Sequence, residues 1–121
     1  MELVANILVG MVALEHLYIL YLEMFAWETK GKKTFKGSLR PELFAPTKVL
    51  AANQGLYNGF LSAGLIWSFF ITDEAWSSNV AVFFLSCAIV AGVYGAVTAS
   101  KKIFVIQALP AIVALAVMLL K

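Results

Sequence analysis

Apolar residues come in four long blocks separated by polar connections. The blocks run from about Leu3 to Trp27, Thr47 to Phe70, Val80 to Ala99 and Ile103 to Leu120. About 20 mostly apolar residues let a helix cross a bilayer, and backbone amides in lipid must pair within their own segment. The pattern therefore predicts an all-α fold: an integral membrane four-helix bundle forming one domain over residues 1–121. One long loop (28–46) and two short ones join the helices. The first block is expected to stay as a membrane helix and not act as a signal peptide. It opens Met1-Glu2 with no basic leader, and it runs into a basic loop with no small-residue cleavage site.

Composition narrows the class. Of the residues, 62% are hydrophobic and 13% charged, against about 25% charged in ordinary soluble domains. A water-facing surface and a disordered segment are both excluded on these grounds. The single cysteine, Cys87, rules out an internal disulfide framework and a multi-cysteine metal site within one chain. A net charge of +2 leaves no nucleic-acid footprint.

Charge placement gives an orientation. Lys30, Lys32, Lys33, Lys36, Arg40 and Lys48 cluster at the first loop, and Lys101 and Lys102 in the third. The opposite side has Glu2, Asp73, Glu74 and only Lys121. The positive-inside rule puts the basic loops in the cytoplasm and both termini outside, which makes the expected location an inner (plasma) membrane crossed several times. Trp27, Trp67 and Trp76 fall near the expected interfaces, where indole rings anchor. The long loop, broken by Gly31, Gly37, Pro41 and Pro46, reads as irregular and topology-determining, with a lipid-headgroup or anion patch as the alternative.

Helices in lipid associate through close backbone approach at small residues. The second block carries Ala51, Gly55, Gly59 and Ala63 at four-residue spacing. The third carries Ala88, Gly92, Ala96 and Ser100 beside Ala91, Gly95 and Ala99. These stripes predict tight seams, within one bundle or between protomers. Pro110 removes the donor for the carbonyl of Ile106 and bends the fourth helix. Gln107, one turn earlier, is expected to compensate a freed backbone group or to serve a site.

Polar residues inside the blocks carry the candidate chemistry. Glu15 and His16 fall near the bilayer centre, where a charge costs about 2.5–3.5 kcal/mol on insertion scales, so they should face protein or a wet cavity. Glu23, Asn53, Gln54, Tyr57, Tyr94 and Gln107 all fall in the cytoplasmic half, with Asn58 close by. His16 and Glu23, seven residues apart, share a helix face. The expected site is a polar cavity open to the cytoplasm, lined by His16, Glu23, Asn53, Gln54, Tyr57, Asn58, Tyr94 and Gln107. The alternative is interhelical hydrogen-bond glue. No metal site is expected. His16 and Glu23 lie about 10 Å apart along the axis, Glu15 points about 100° away from His16, and no further histidine exists. No nucleophile triad, phosphate loop or dinucleotide fingerprint is visible, and no cofactor is indicated.

Several runs are distinctive: Thr47 through Trp67, Glu15-His16-Leu17-Tyr18, Leu22-Glu23-Met24-Phe25, Ala91-Gly92-Val93-Tyr94-Gly95 and Gln107-Ala108-Leu109-Pro110-Ala111. Together they resemble, over essentially the whole chain, the small bacterial membrane proteins of domain-of-unknown-function family 1304. The resemblance implies a four-helix membrane protein and brings no activity. A more distant resemblance is to the membrane-associated proteins of eicosanoid and glutathione metabolism. Those are trimers of four-helix chains that bind glutathione between protomers in the cytoplasmic half. That superfamily holds glutathione with membrane-embedded arginines, whereas the single arginine here is Arg40, in the loop.

The function expected is that of a small membrane protein, a homo-oligomer among membrane lipids, whose cavity binds a small amphipathic molecule or lipid. Three alternatives stand beside it. One is an enzyme on a lipophilic substrate, with His16 or Glu23 moving protons and Tyr57 or Tyr94 stabilising charge. Another is a proton-coupled carrier using Glu15. The last is an accessory subunit in which the polar groups set packing.

Overall fold

The computed structural model describes residues 2–121, and for residues 103 and 104 the backbone alone. The chain is all-helical, and among the described residues the only β-type pairing is an isolated bridge between Lys36 and Leu39. The four long helices are α1 (Glu2–Phe25), α2 (Lys48–Ser68), α3 (Glu74–Thr98) and α4 (Leu109–Leu120). They follow the four apolar blocks in order, with informative differences at the ends.

The third helix begins at Glu74, well before the expected Val80. The run Glu74-Ala75-Trp76-Ser77-Ser78-Asn79 is too polar to read as membrane helix. Asp73 nonetheless caps it: its carboxylate accepts from the Trp76 backbone N–H at 3.0 Å, satisfying one of the first-turn donors. The fourth block divides. A short turn at Lys101–Ile103 leads into a π-helical stretch, Phe104–Ala108, and then α4. Pro110 follows directly in the first turn of α4. Its missing N–H takes one rung from the ladder, and the widened turn accommodates the gap.

The first loop is more structured than its Gly and Pro content suggests. It holds a π-helical turn at Trp27–Gly31, a helical turn at Lys32–Thr34 and a 3₁₀ turn at Pro41–Leu43. Gly37 takes a positive φ of 89°, which only glycine adopts without strain. Phe44 is 2% exposed and packs tilted against the Trp27 ring with centroids 4.7 Å apart, and Trp27 also meets Phe35 at 5.8 Å. The Trp27 indole donates to Thr47 Oγ1 at 3.1 Å. Trp27 thus organises the loop and does not stand as a free interfacial anchor, whereas Trp67 and Trp76 are exposed.

The termini meet at one end of the bundle, where the Lys121 ammonium donates to Glu2 Oε1 at 2.8 Å. The basic connections meet at the other end. There Ser38 Oγ donates to Ser100 Oγ at 3.3 Å and the Lys102 ammonium donates to the Thr34 carbonyl. Core packing is concentrated towards the terminal end. Ala5, Val9, Val12 and Ala13 interlock with Leu65, Ala81, Leu85, Ala88, Ala111, Ala114 and Met118. The stripes that run through Gly55 and Gly92 serve seams inside the chain, whereas Ala91, Gly95 and Ala99, also expected as a seam, line an open space beside α3. A Cβ on Gly55 would lie 2.7 Å from Met24 of α1, and one on Gly92 would lie 2.6 Å from the Ala108 backbone nitrogen.

Two helices, Glu2–Phe25 and Glu74–Thr98, are long and apolar enough to cross a membrane. By length and composition the four-span expectation is met by those two. Helix α2 is diluted by Lys48, Asn53, Gln54, Asn58, Ser62 and Ser68, and the apolar run Val105–Leu120 is short. All four long helices carry large apolar side chains on the outer surface, among them Leu14, Leu56, Val90 and Leu120.

Candidate functional site

At the terminal end α2 and α3 touch. Gly64 of α2 seats the Phe84 ring of α3 so closely that a Cβ there would collide with it. Ser77 Oγ of α3 donates to the Ser68 carbonyl at 2.6 Å. Towards the basic end the helices leave a cavity of about 710 Å³ between them. Its walls are Gln54, Tyr57, Asn58, Phe60 and Leu61 of α2 and Cys87, Ala91, Tyr94, Gly95 and Thr98 of α3. Its inner side is formed by Ile19 and Glu23 of α1 and by Ile106 and Gln107 of the π-helical stretch. Trp27, Phe35, Ser38 and Leu39 of the loop roof it.

A hydrogen-bond chain crosses three segments on the inner side. Asn58 Nδ2 donates to Glu23 Oε1 at 2.7 Å and also reaches the Gln54 carbonyl at 3.2 Å. Gln107 Nε2 donates to Asn58 Oδ1 at 3.2 Å. Asn58, 5% exposed, is the hub, because an amide can donate one way and accept the other. Gln107 therefore bonds across helices and does not cover the carbonyl freed by Pro110. The wide π-turn carries its side chain into the interior.

Of the eight residues expected to share a cavity, Glu23, Gln54, Tyr57, Asn58, Tyr94 and Gln107 line this one. Asn53 does not. It is exposed on α2, turned by about 100° from its neighbour Gln54, which lines the cavity with Asn58. His16 does not line it either. It is fully buried, and its Nδ1 donates to the Val12 carbonyl at 2.9 Å. That bond leaves Nε2 as a lone-pair acceptor, buried with no partner among the described residues. Glu15 lies beside it, with Oε1 at 3.8 Å from His16 Nδ1 and likewise buried without a hydrogen-bond partner. His16 and Glu23 share a helical side, but only Glu23 reaches the cavity.

The loop aromatics Trp27 and Phe35 were not among the expected site residues, because their part depends on how the loop folds back. Cys87, expected to pack in an apolar helix, is half-buried on the cavity wall. Among the described residues no three His, Cys, Asp or Glu side chains converge on one point. A smaller crevice of about 390 Å³ lies at the terminal end, between Glu2, Asn6, Ser68, Glu74 and Lys121.

The family model described as a protein of unknown function, DUF1304, matches residues 10–119. The chain belongs to this family. The matched DUF1304 region includes every residue of the hydrogen-bond chain, α1 from Gly10 onward and all of α4 but its last residue. A Lactococcus lactis relative, the uncharacterised protein YpaA, is 35% identical over 116 residues, covering 95% of this chain and 96% of its own length. An uncharacterised Haemophilus influenzae protein is 63% identical over 31 residues, 26% of this chain and 39% of that protein. No solved structure matches the chain. Neither the family model nor these relatives shows the likeness to the eicosanoid and glutathione superfamily.

Proposed function

We propose that this DUF1304 member is a four-helix inner-membrane protein that binds a small amphipathic molecule or lipid in the cavity between α2 and α3. The observation that carries this is the cavity itself. At about 710 Å³ it falls in the usual range for small-molecule sites, about 300–1,000 Å³. Its walls are mainly apolar and aromatic, with a few convergent polar groups on one side. Such a site suits a ligand with an apolar body and one polar end.

The membrane placement is supported by the apolar outer surface and by eight of the nine basic residues lying at one end. With that end cytoplasmic and both termini outside, the cavity opens in the cytoplasmic half. Tyr57 and Tyr94 flank its mouth at 62% and 70% exposure. A neighbouring copy in a homo-oligomer, or lipid, would close that side.

The test is mass spectrometry of small organic molecules retained by the protein purified in neutral detergent. A retained amphiphile at near-equimolar amount, absent from the Ala91→Trp variant that fills the cavity, is expected. A protein that retains none and binds no added amphiphile contradicts the proposal.

One observation favours a second role. Glu15 Oε1 and His16 Nε2 are each buried without a partner among the described residues, and the two side chains approach at 3.8 Å through His16 Nδ1; mid-membrane ionisable groups are costly unless used. A proton-coupled carrier with Glu15 as the coupling group accounts for them. It requires pH-dependent flux in liposomes that Glu15→Gln abolishes; flux unaffected by that change contradicts it.

A further inference from the structure

One carboxyl group stands on the cavity walls. Glu23 is the single ionisable carboxylate among the lining residues, and no lysine, arginine or histidine joins it. This is unexpected at the end of the molecule that holds eight of nine basic residues. Those bases are all exposed, and three are engaged elsewhere. Lys48 approaches Glu28 at 3.7 Å, Arg40 approaches Glu42 at 3.6 Å, and Lys102 bonds the Thr34 carbonyl on the outer side of the roof, with its ammonium 6.0 Å from the centre of the Phe35 ring. Exposed charges in water are screened over about 8–10 Å at physiological salt, so their influence inside the cavity is weak beside a carboxylate on its wall.

The carboxylate is also held in place. Asn58 anchors Oε1 at 2.7 Å, and no protein donor among the described residues reaches Oε2. Asn58 uses both amide N–H groups within the chain and Gln107 one of its two, which leaves the Gln107 carbonyl oxygen as a further acceptor. Around this acceptor-rich side stand five aromatic rings: Trp27, Phe35, Tyr57, Phe60 and Tyr94. Ring faces attract organic cations electrostatically. An anionic headgroup would meet Glu23 with no counter-charge, and burying like charges together is unfavourable.

We propose that the cavity selects organic cations, taking an ammonium-type headgroup opposite Glu23 and an apolar body against the aromatic and aliphatic walls. This rests on the ligand-binding role proposed above and names the ligand's charge class.

The test compares three amphiphiles with one tail: decyltrimethylammonium, decanol and decyl sulfate. Binding is measured to the full chain in nanodiscs of zwitterionic lipid, with empty discs subtracted. Wild-type protein is expected to bind the cation about tenfold tighter than decanol, the equivalent of about 1.4 kcal/mol, and the sulfate weaker than both. In Glu23→Gln, which keeps an acceptor for Asn58, the preference is expected to fall to within about twofold; Glu23→Asp, which keeps the charge, should retain most of it. Decanol binding with no cation preference in wild-type protein overturns the charge assignment and leaves the cavity as a neutral amphiphile site. A preference that survives in a folded Glu23→Gln protein also overturns it. Failure of all three amphiphiles to bind overturns the ligand-binding role as well. The wild-type comparison decides the matter even if Glu23→Gln fails to fold.

Discussion

Asn58 of α2 donates a 2.7 Å hydrogen bond to Glu23 of α1 and accepts one of 3.2 Å from Gln107. One amide therefore ties three segments together at the inner side of the cavity. Asn58→Leu removes both bonds and leaves Glu23 and Gln107 unpaired. Interhelical hydrogen bonds in membranes average about 0.6 kcal/mol and reach about 1.7, so two lost together should cost about 1–2 kcal/mol. Thermal unfolding in detergent checks this; an unchanged midpoint would mean the chain contributes no stability.

Glycine substitutions should split by sign. A Cβ on Gly92 meets the Ala108 backbone at 2.6 Å, whereas one on Gly10 meets nothing within 4 Å. Gly92→Ala must push α3 away from the π-helical stretch, and overpacking of this kind costs about 1–3 kcal/mol. Gly10→Ala should be neutral or stabilising by up to about 1 kcal/mol through helix propensity. Paired unfolding curves of the two variants measure the contrast.

His16 is fully buried with Nε2 unpartnered. A buried polar atom without a partner costs about 1–3 kcal/mol. His16→Leu removes it while the Val12 carbonyl keeps its helical position. The variant should be as stable as wild type or more stable. A large loss of stability would mean that a bound molecule or a second chain satisfies Nε2 in the native protein.

Asp73 caps α3 through the Trp76 N–H. Asp73→Ala should cost about 1 kcal/mol and fray the first turn, while Asp73→Asn should retain most of the cap. Amide exchange at Trp76 and Ser77 reads this directly.

The order and positions of the long helices were legible because apolar block length is a one-dimensional signal. It failed at Glu74–Asn79, where a capping residue overrides polarity, and at Phe104–Ala108, where a proline widens the helix. The site was legible in depth and not in direction. Counting residues from the helix ends put Glu23, Gln54, Tyr57, Tyr94 and Gln107 at a common level with Asn58 close by, and these line one cavity. The same count admitted Asn53, whose azimuth on α2 points outward, and His16, which packs away from it. Trp27 and Phe35 were out of reach because the fold of the first loop brings them over the cavity, and nothing in their spacing records that fold.

The most direct test of the binding role fills the cavity and leaves the rest of α3 alone. Ala91 lines the cavity, while its neighbour Val90 faces outward at 68% exposure. Decanol binding to nanodisc-embedded wild type, Ala91→Trp and Val90→Trp separates a cavity ligand from general partitioning. The account expects Ala91→Trp to lose at least about tenfold in affinity, the equivalent of about 1.4 kcal/mol, with Val90→Trp matching wild type. Wild-type affinity in a folded Ala91→Trp protein would contradict it.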